Sequence, residues 1–206
     1  MKHRFLITLI CLFAFAISQA NTNEGSWQFG IKTSGSYDKV SIRNGGKSKL
    51  GYKLGFLAEK HLLYMLYFQP SVQYSQKSYE YEIRNGFHEI TTYNALEIDA
   101  GLLLKFGDDR LKRGMFFSIT PYISKGFAVK SIRTNINPNS TEYNQTITSK
   151  EFDYINKNDA GFKLGIGYDF NKHFEIAANY TFGFNKINNT TNYKWRGFAL
   201  HLVFFI

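Results

Sequence analysis

In several segments of the chain, every second residue is large and apolar, and the residues between are small or charged. The charged side chains are the ones that could take part in chemistry. Six of them share the polar side of these segments: Lys53, Glu97, Asp99, Lys105, Lys163 and Glu175. Charges that are removed from water are stable only when they are paired. We therefore predict that these residues form a structural ion-pair network, and we keep a path for protons or solutes as the alternative chemistry.

One histidine has neighbours that resemble part of a catalytic triad. His88 lies beside Glu89, and Thr91 and Thr92 follow closely. No serine is placed with them as a nucleophile, although a nucleophile within reach of its base is what such chemistry requires. The other histidines lie on separate segments and are not spaced as zinc ligands. We expect no catalytic residue, no cofactor and no metal site.

Residues 1–20 have the three parts of a signal peptide. A basic start is followed by an apolar run and by a small-x-small cleavage site that ends at Ala20. The apolar run is too short to cross a bilayer as a helix, which takes about 20 residues. The single cysteine, Cys11, lies in this segment, so cleavage removes the thiol chemistry of the chain. We predict a signal peptide over 1–20 and one domain over 21–206.

The balance of charge is basic, with 25 lysines and arginines against 16 acidic residues. A basic surplus can indicate binding to nucleic acid. In this chain the basic residues are spread one or two at a time and an export signal precedes them, so we expect no nucleic-acid partner. Aromatic residues make up 17% of the chain, a richness that fits either a soluble β-sandwich or a membrane β-barrel.

Eight segments alternate with the two-residue period of a β-strand. The clearest runs are Phe162–Phe170, Phe174–Phe184 and Leu96–Phe106. The other five lie over 27–31, 50–56, 64–74, 115–123 and 198–206. An even number of amphipathic strands is typical of bacterial outer-membrane barrels.

The two faces of these strands decide between a sandwich and a barrel. The polar face is rich in glycine, alanine, serine and threonine, which suits the narrow interior of a small barrel. The apolar face is aromatic and almost free of charge over about 9–11 residues, the length that a tilted strand needs to cross a membrane. We predict an all-β fold, an eight-stranded antiparallel transmembrane up-and-down β-barrel, with the soluble sandwich as the alternative.

The connections alternate between short and long, which orients the predicted barrel. The short ones, over 59–61, 107–114 and 171–173, are expected on the periplasmic side. The long ones, over 38–48, 75–94, 131–150 and 187–192, are expected outside the cell, where loops carry most function.

The strand register predicts an unusual turn in the second long connection. An Asn-Gly pair normally indicates a two-residue hairpin turn, but that turn would pair an outward with an inward residue. A three-residue turn, Arg84, Asn85 and Gly86 with Gly86 in a left-handed bulge position, pairs Tyr74 with Leu96 instead. We predict this bulged turn at the tip of a tall, polar ribbon.

Two prolines fall inside predicted strands. Pro70 and Pro121 each remove a backbone donor from the ladder. Since a closed barrel has no free edge, we expect each proline at a bulge or a local kink.

The order of the strand motifs is similar to that of a known family. The segment 158–170 and the strand over 176–184 resemble the closing hairpin of the PorT-like outer-membrane β-barrel domain family, and 51–56, 67–74 and 120–122 agree with it. The chain differs at Asp99, where the family often has proline, and at Ile206, where barrels often have an aromatic residue. The resemblance implies a small outer-membrane barrel. Its named member is associated with protein secretion, a role we do not transfer.

Together these patterns predict an integral outer-membrane protein of a Gram-negative bacterium. We expect a monomer without enzymatic activity, a structural or interaction barrel that presents extracellular loops. A narrow channel, or an accessory component of transport or protein secretion, is the first alternative, and an outer-membrane enzyme is the second. The expected partners are outer-membrane lipid and lipopolysaccharide, the barrel-insertion machinery, and a surface or secretion partner.

Overall fold

The structure is a computed structural model that describes residues 26–40, 47–83, 87–108, 113–135, 146–149, 155–187 and 193–206. The strands are β1 (Gln28–Val40), β2 (Lys47–Leu63), β3 (Leu66–Ile83), β4 (Phe87–Asp108), β5 (Arg113–Asn135), β6 (Thr146–Ser149), β7 (Asn158–Asn171), β8 (Phe174–Lys186) and β9 (Lys194–Phe205). No helix in these ranges is long and apolar enough to cross a membrane. The predicted signal peptide lies outside the described residues.

The strands close into a barrel of eight. Neighbours in sequence pair antiparallel from β1 to β5, the chain then continues through β7, β8 and β9, and β9 pairs with β1. The short strand β6 pairs only with the outer end of β5 and is not part of the barrel wall. The predicted eight-stranded antiparallel barrel is therefore confirmed, with one additional short strand.

The wall has an apolar outside and a polar inside. Large apolar side chains on every barrel strand are exposed, among them Leu54, Phe117 and Leu200. Their inward neighbours are buried, and most of them are small, polar or charged. A continuous exposed apolar band is unstable in water and is stable in lipid. The band therefore identifies the membrane-spanning part of the barrel.

Two periplasmic turns differ from the prediction. The alternation predicted odd loops of three residues over 59–61 and 171–173. The structure has two-residue turns instead, at Tyr64–Met65 and Lys172–His173, each with a register shift in the strand before the turn. The extra residue that keeps outward side chains paired with outward ones lies in a β-bulge rather than in the loop.

Neither proline lies at a β-bulge, so that part of the expectation is wrong. The register between β3 and β4 is continuous through Pro70, and that between β5 and β7 is continuous through Pro121. Pro70 lies in a gap in the pairing between β3 and β2, and Pro121 lies in a gap in the pairing between β5 and β4. The register is the same on both sides of each gap. An antiparallel residue bonds to one neighbour only, so the missing donor costs a single ladder contact.

Strands β3, β4 and β5 continue beyond the apolar band on the side of the long connections. Tyr74 pairs with Leu96, and the pairing extends to Ile83 and Phe87. The predicted bulged turn of Arg84, Asn85 and Gly86 lies outside the described residues. The ribbon, defined here as residues 76–83, 87–94 and 128–135, has three strands rather than the expected two, because β5 continues into the predicted loop 131–150.

The apolar band predicts a dependence of stability on depth. Leu202 lies midway along the outward face of β9, whereas Leu50 lies at the outer end of the apolar face of β2. We expect Leu202→Arg to lower the free energy of unfolding by about 2–4 kcal/mol and Leu50→Arg by about 0–1 kcal/mol. Urea unfolding in phospholipid vesicles measures both, and equal losses would contradict the placement of the band.

Candidate functional site

The centre of the barrel interior is organised around one carboxylate. Glu97 is fully buried, and its Oε1 accepts hydrogen bonds from the Nζ atoms of Lys53 and Lys163, each at 2.7 Å. The Nζ of Lys77 lies 3.5 Å from the other oxygen, Oε2. Three strands other than that of Glu97 supply these lysines, so one carboxylate joins four strands across the lumen.

Asp99, two residues along the same strand, completes this central group. Its two oxygens lie 2.7 and 2.8 Å from the Nζ of Lys163. The Nε2 of Gln73 donates to both Asp99 and Glu97, at 2.6 and 3.2 Å, and the hydroxyl of Ser71 donates to Asp99. These contacts give hydrogen bonds to both oxygens of Asp99 and to Oε1 of Glu97, whereas Oε2 of Glu97 has only its ion pair with Lys77. Pairing of this kind is the condition for a stable buried charge.

The group continues toward the outer end through Lys77. Its Nζ lies 3.3 Å from Oδ2 of Asp159, and the hydroxyl of Tyr122 donates to the same oxygen at 2.8 Å. The Nζ also lies 5.1 Å from the ring centre of Tyr122 and 5.5 Å from that of Trp195. Ammonium–aromatic contacts of this length are attractive, so Lys77 links the charged centre to the aromatic residues above it.

A second group lies nearer the periplasmic end and is centred on Lys105. Its Nζ is 2.8 Å from Glu59, 2.9 Å from Asp169 and 3.7 Å from Glu175. The amide of Gln69 donates to both Glu59 and Glu175, at 2.9 and 3.1 Å. One cation and one amide thus hold three carboxylates that would otherwise repel one another.

The structure places all six predicted residues inside the barrel, but it divides them between these two groups. Sequence analysis did not include Lys77, Asp159, Glu59 or Asp169. The alternation itself identifies them as inward residues once their strands are given their full length. Lys77 was assigned to an outer loop and Glu59 to a periplasmic turn, because the strands were ended where the apolar face ends.

Two apolar clusters also lie in the lumen, one at the outer end of the charged region and one at the level of the Lys105 group. At the outer end a cluster packs around Trp195, with ring centres of Tyr79 and Tyr93 at 5.5 and 5.9 Å from it. Its buried members are Val40, Tyr79, Tyr93, Ala95, Ile187 and Trp195. At the periplasmic end Leu57, Val203 and Phe205 form a second cluster. We refer to these as the outer and inner apolar clusters.

Glycines make room for two of the rings that fill the lumen. A Cβ at Gly126 would lie 2.6 Å from the ring of Tyr93, and one at Gly167 would lie 2.2 Å from the ring of Phe116. Both distances are far inside van der Waals contact, so any side chain at these positions would displace a ring. The small residues of the inner wall are thus matched to the large ones that cross the barrel.

The arrangement favours a filled interior over a path for solutes. Paired charges, hydrogen-bonded amides and two apolar clusters occupy the lumen from end to end. His201 is buried among them and contacts the side-chain amide of Asn179. Within the described ranges, no group of three or more His, Cys, Asp or Glu residues could hold a metal ion.

His88 is paired with a different acid from the one its sequence neighbours indicated. Its Nδ1 lies 3.0 Å from Oε1 of Glu80, across the ribbon from β4 to β3. The Nζ of Lys49 lies 2.5 Å from the other oxygen of Glu80. Glu80 lies outside the membrane-spanning segments, and the hydrogen bonds from Lys49 and His88 hold the pKa of its carboxyl group below the usual value. Glu80 is therefore a poor base, and this cluster is an ion pair that joins three strands of the outer surface.

The family of the chain follows from comparison with known proteins. A family model described as "Outer membrane protein beta-barrel domain" matches residues 17–189. The chain belongs to this outer-membrane β-barrel family. The match ends before β9, the strand that the structure shows pairing with both β8 and β1 to close the barrel.

Solved structures of other outer-membrane barrels share this fold. Ail, the attachment invasion locus protein of Yersinia pestis, is 12% identical, with a TM-score of 0.50 over 89% of this chain and 100% of Ail. Neisserial surface protein A is 15% identical, with a TM-score of 0.46 over 85% of this chain and 96% of the other. A comparison with curated protein sequences gives no match. Family and fold together place the protein in the outer membrane.

The central ion pairs predict a strong dependence of stability on Lys163. Replacing it in Lys163→Met leaves Glu97 and Asp99 buried with fewer cations. We expect a loss of about 3–5 kcal/mol in the free energy of unfolding, as for other broken buried pairs. Urea unfolding measures the loss, and Lys125→Met, on the exposed face of β5, is the control.

A double variant separates pairing from packing. In Lys163→Met with Asp99→Asn, the carboxylate that loses its cation is also removed. We expect the double variant to lose less stability than the sum of the two single variants, by at least about 1 kcal/mol. Additive losses would show that the two side chains do not act as a pair.

Proposed function

We propose that this protein is a non-enzymatic outer-membrane barrel whose function is to hold a binding surface outside the cell. The observation that carries this proposal is the filled lumen beneath an extended outer ribbon. Paired charges and apolar clusters occupy the described interior, and the ribbon is a described surface that extends beyond the membrane. A closed barrel that supports a rigid outer surface is suited to binding a partner.

The ribbon is built to keep its shape. Its inner face is fixed by Tyr79 and Tyr93, which pack on Trp195 in the outer apolar cluster. Its outer face has polar pairs, with the hydroxyl of Ser78 donating to Thr92 and the amide of Gln76 donating to Asn94. A binding surface that is ordered before its partner arrives loses less entropy on association. This supports recognition by the ribbon itself rather than by a mobile loop.

The route to the membrane is part of the proposal. We infer export through the signal peptide over 1–20, cleavage after Ala20, and assembly by the barrel-insertion machinery as a monomer. The PorT-like resemblance is a finer hypothesis about kinship within the family, and it brings no activity with it. The partner is proposed to be a protein of the cell surface or of the secretion route.

Conductance separates this function from that of a narrow channel. We expect the purified barrel to give no stable openings in planar lipid bilayers, because the Glu97 group and both apolar clusters occupy the lumen. The measurement is single-channel current with the wild-type chain. Stable openings that disappear in Lys53→Met or Glu97→Gln would overturn the proposal in favour of a path through the charged centre.

A shortened ribbon tests the binding surface directly. Deleting 80–83 together with 87–90 removes paired residues from both arms and keeps Tyr79 opposite Thr91. In a clean deletion strain, we expect wild type to restore the normal set of surface and secreted proteins and the shortened chain to leave it altered.

His88→Ala is the matched control, because it removes the histidine that the shortened ribbon also lacks. We expect it to restore the wild-type protein set, since the proposed role needs the surface and not an imidazole. If the shortened chain restored the wild-type protein set and His88→Ala did not, the ribbon would not be the binding surface. If wild type restored the protein set and the full-length His88→Ala variant did not, the imidazole itself would be needed, which would favour an enzyme.

A further inference from the structure

The outward face of three neighbouring strands changes from aromatic to basic near the outer end, at the same level on β1 and β9 and one residue pair further out on β8. On β1 the change is from Tyr37 to Lys39, and on β9 it is from Phe198 to Arg196. On β8 the apolar face ends at Phe184 and is followed by Lys186. These basic residues therefore lie where the lipid-facing band meets the outer surface. With Lys194 they form what we call the outer basic cluster.

The cluster consists of like charges placed directly opposite one another. Lys39 pairs with Arg196 across β1 and β9, and Lys186 pairs with Lys194 across β8 and β9. Directly opposed residues have Cβ atoms about 4.5–5.5 Å apart, and like charges at that separation destabilise a sheet. Two such pairs on adjacent strands are unfavourable unless an anion lies between or over them.

The protein supplies no such anion from the residues the structure describes. None of the ion pairs formed among them includes Lys39, Lys186, Lys194 or Arg196. The neighbouring acid, Asp38, is buried on the inward face. This contrasts with Lys49 on β2, which pairs with Glu80.

The position of the cluster around the barrel is also specific. On the opposite side, at the outer end of the apolar faces of β3 and β4, the outward residues are the uncharged Gln76 and Asn94, which bond to each other. Lys125 and Lys130 on β5 are also outward, but each lies opposite uncharged residues. Directly opposed cations at the height of the lipid headgroups therefore distinguish the outer basic cluster, and they fit an anionic lipid.

We propose that the outer basic cluster binds the phosphate groups of lipopolysaccharide in the outer leaflet. Lipopolysaccharide combines closely spaced phosphates with a bundle of acyl chains. Phosphates over Lys39, Lys186, Lys194 and Arg196 would be at the height of the headgroups, and the acyl chains would lie along the aromatic face directly below. The inference rests on the outer-membrane placement of the barrel and not on the proposed ribbon partner.

Arg196 is oriented for this role. Its guanidinium lies 5.7 Å from the ring centre of Phe182, and its Nη1 donates to the carbonyl oxygens of Gly183 and Trp195 at 2.7 and 2.8 Å. These contacts fix the plane of a group that has five N–H donors in all. A fixed guanidinium binds phosphate with charge-assisted hydrogen bonds at little entropic cost. The lysines add mobile point charges beside it.

The aromatic face below the cluster completes the match. Tyr180 packs edge-on against Phe198 at 4.7 Å and against Phe182 at 4.7 Å between ring centres. These rings lie on β8 and β9, the strands that carry three of the four cations. Packed rings beside one fixed guanidinium and three lysines form a surface for an amphipathic molecule with an anionic head. A soluble polyanion would contact only the cations of this surface.

Native mass spectrometry of the full chain in detergent micelles tests the proposal with bisphosphorylated lipid A as the probe. We expect wild type to retain lipid A, and Lys186→Gln with Lys194→Gln to bind it on the order of 20-fold more weakly, at about fivefold for each lysine. Lys125→Gln with Lys130→Gln removes two outward lysines of β5 that do not oppose another cation, and we expect it to bind as wild type does. Equal weakening in the two double variants would overturn the proposed site.

Changing the probe gives a second test that leaves the protein intact. We expect wild type to retain dephosphorylated lipid A poorly. Its retention should be as weak as that of phosphorylated lipid A by the double variant Lys186→Gln with Lys194→Gln. Inorganic phosphate in excess is expected to displace little lipid A. Full displacement by phosphate would show an anion site without lipid specificity, and retention of the dephosphorylated probe would show that the cluster is not the binding determinant.

Stability without lipid distinguishes a binding role from a structural one. We expect Lys186→Gln with Lys194→Gln to unfold no earlier than wild type in vesicles of phosphatidylcholine, because the substitutions relieve repulsion between paired lysines. A marked loss of stability there would show that the lysines serve the fold. Failure of wild type to insert at all would instead count against the outer-membrane assignment, which separates the two hypotheses.

Discussion

The pairing of buried charges around Glu97 is the interaction on which the rest of the barrel depends. Eight strands enclose a space too narrow for bulk water, so any charge on the inner wall must find its partner on another strand. Glu97 meets this condition with lysines from β2, β3 and β7. The contacts are made across the lumen, and they therefore require the barrel to be closed and the registers of four strands to be correct together. A shift of one residue in any of them would turn an inward lysine toward lipid.

This requirement explains the composition of the inner wall. The central group needs length from lysine and glutamine, and the rings of Tyr93 and Phe116 fill the space above and below it. Side chains that reach across the barrel leave no volume for the residues they pass, which is why Gly126 and Gly167 occur opposite those rings. The glycines weaken the strands locally, since glycine loses more entropy on folding than other residues. The closed packing of the lumen compensates for that loss.

Much of this architecture follows from alternation in the sequence, because the two faces of each strand have different solvents. Lipid outside and a narrow polar lumen inside impose opposite preferences, and Phe174–Phe184 records both. Beyond the apolar band the outward residues are polar too, so the two-residue alternation of apolar and polar side chains no longer marks the strands. For this reason the ribbon was expected to have two strands, and Lys77 was assigned to a loop. The need for one extra residue at these turns was predicted correctly, but the predicted three-residue loops were wrong, because the alternation cannot say whether that residue lies in the turn or in a bulge before it. Cross-lumen partners such as Lys77 and Asp159 depend on the registers of several strands at once, and no local pattern contains that information.

Cations are paired with carboxylates in the centre of the lumen, whereas at the outer rim they lie opposite other cations. Inside, every lysine of the central group has a carboxylate within 3.5 Å. At the outer rim, Lys186 lies opposite Lys194 and Lys39 lies opposite Arg196. The central group pairs its buried charges, whereas the rim places like charges together where an external anion can reach them. A sheet could have avoided the repulsion with a glutamine on either strand, as it does at Gln76 and Asn94. Among the residues that the structure describes, no acid pairs with these cations, and this is the observation on which the proposed site for an anionic lipid at β8, β9 and β1 rests.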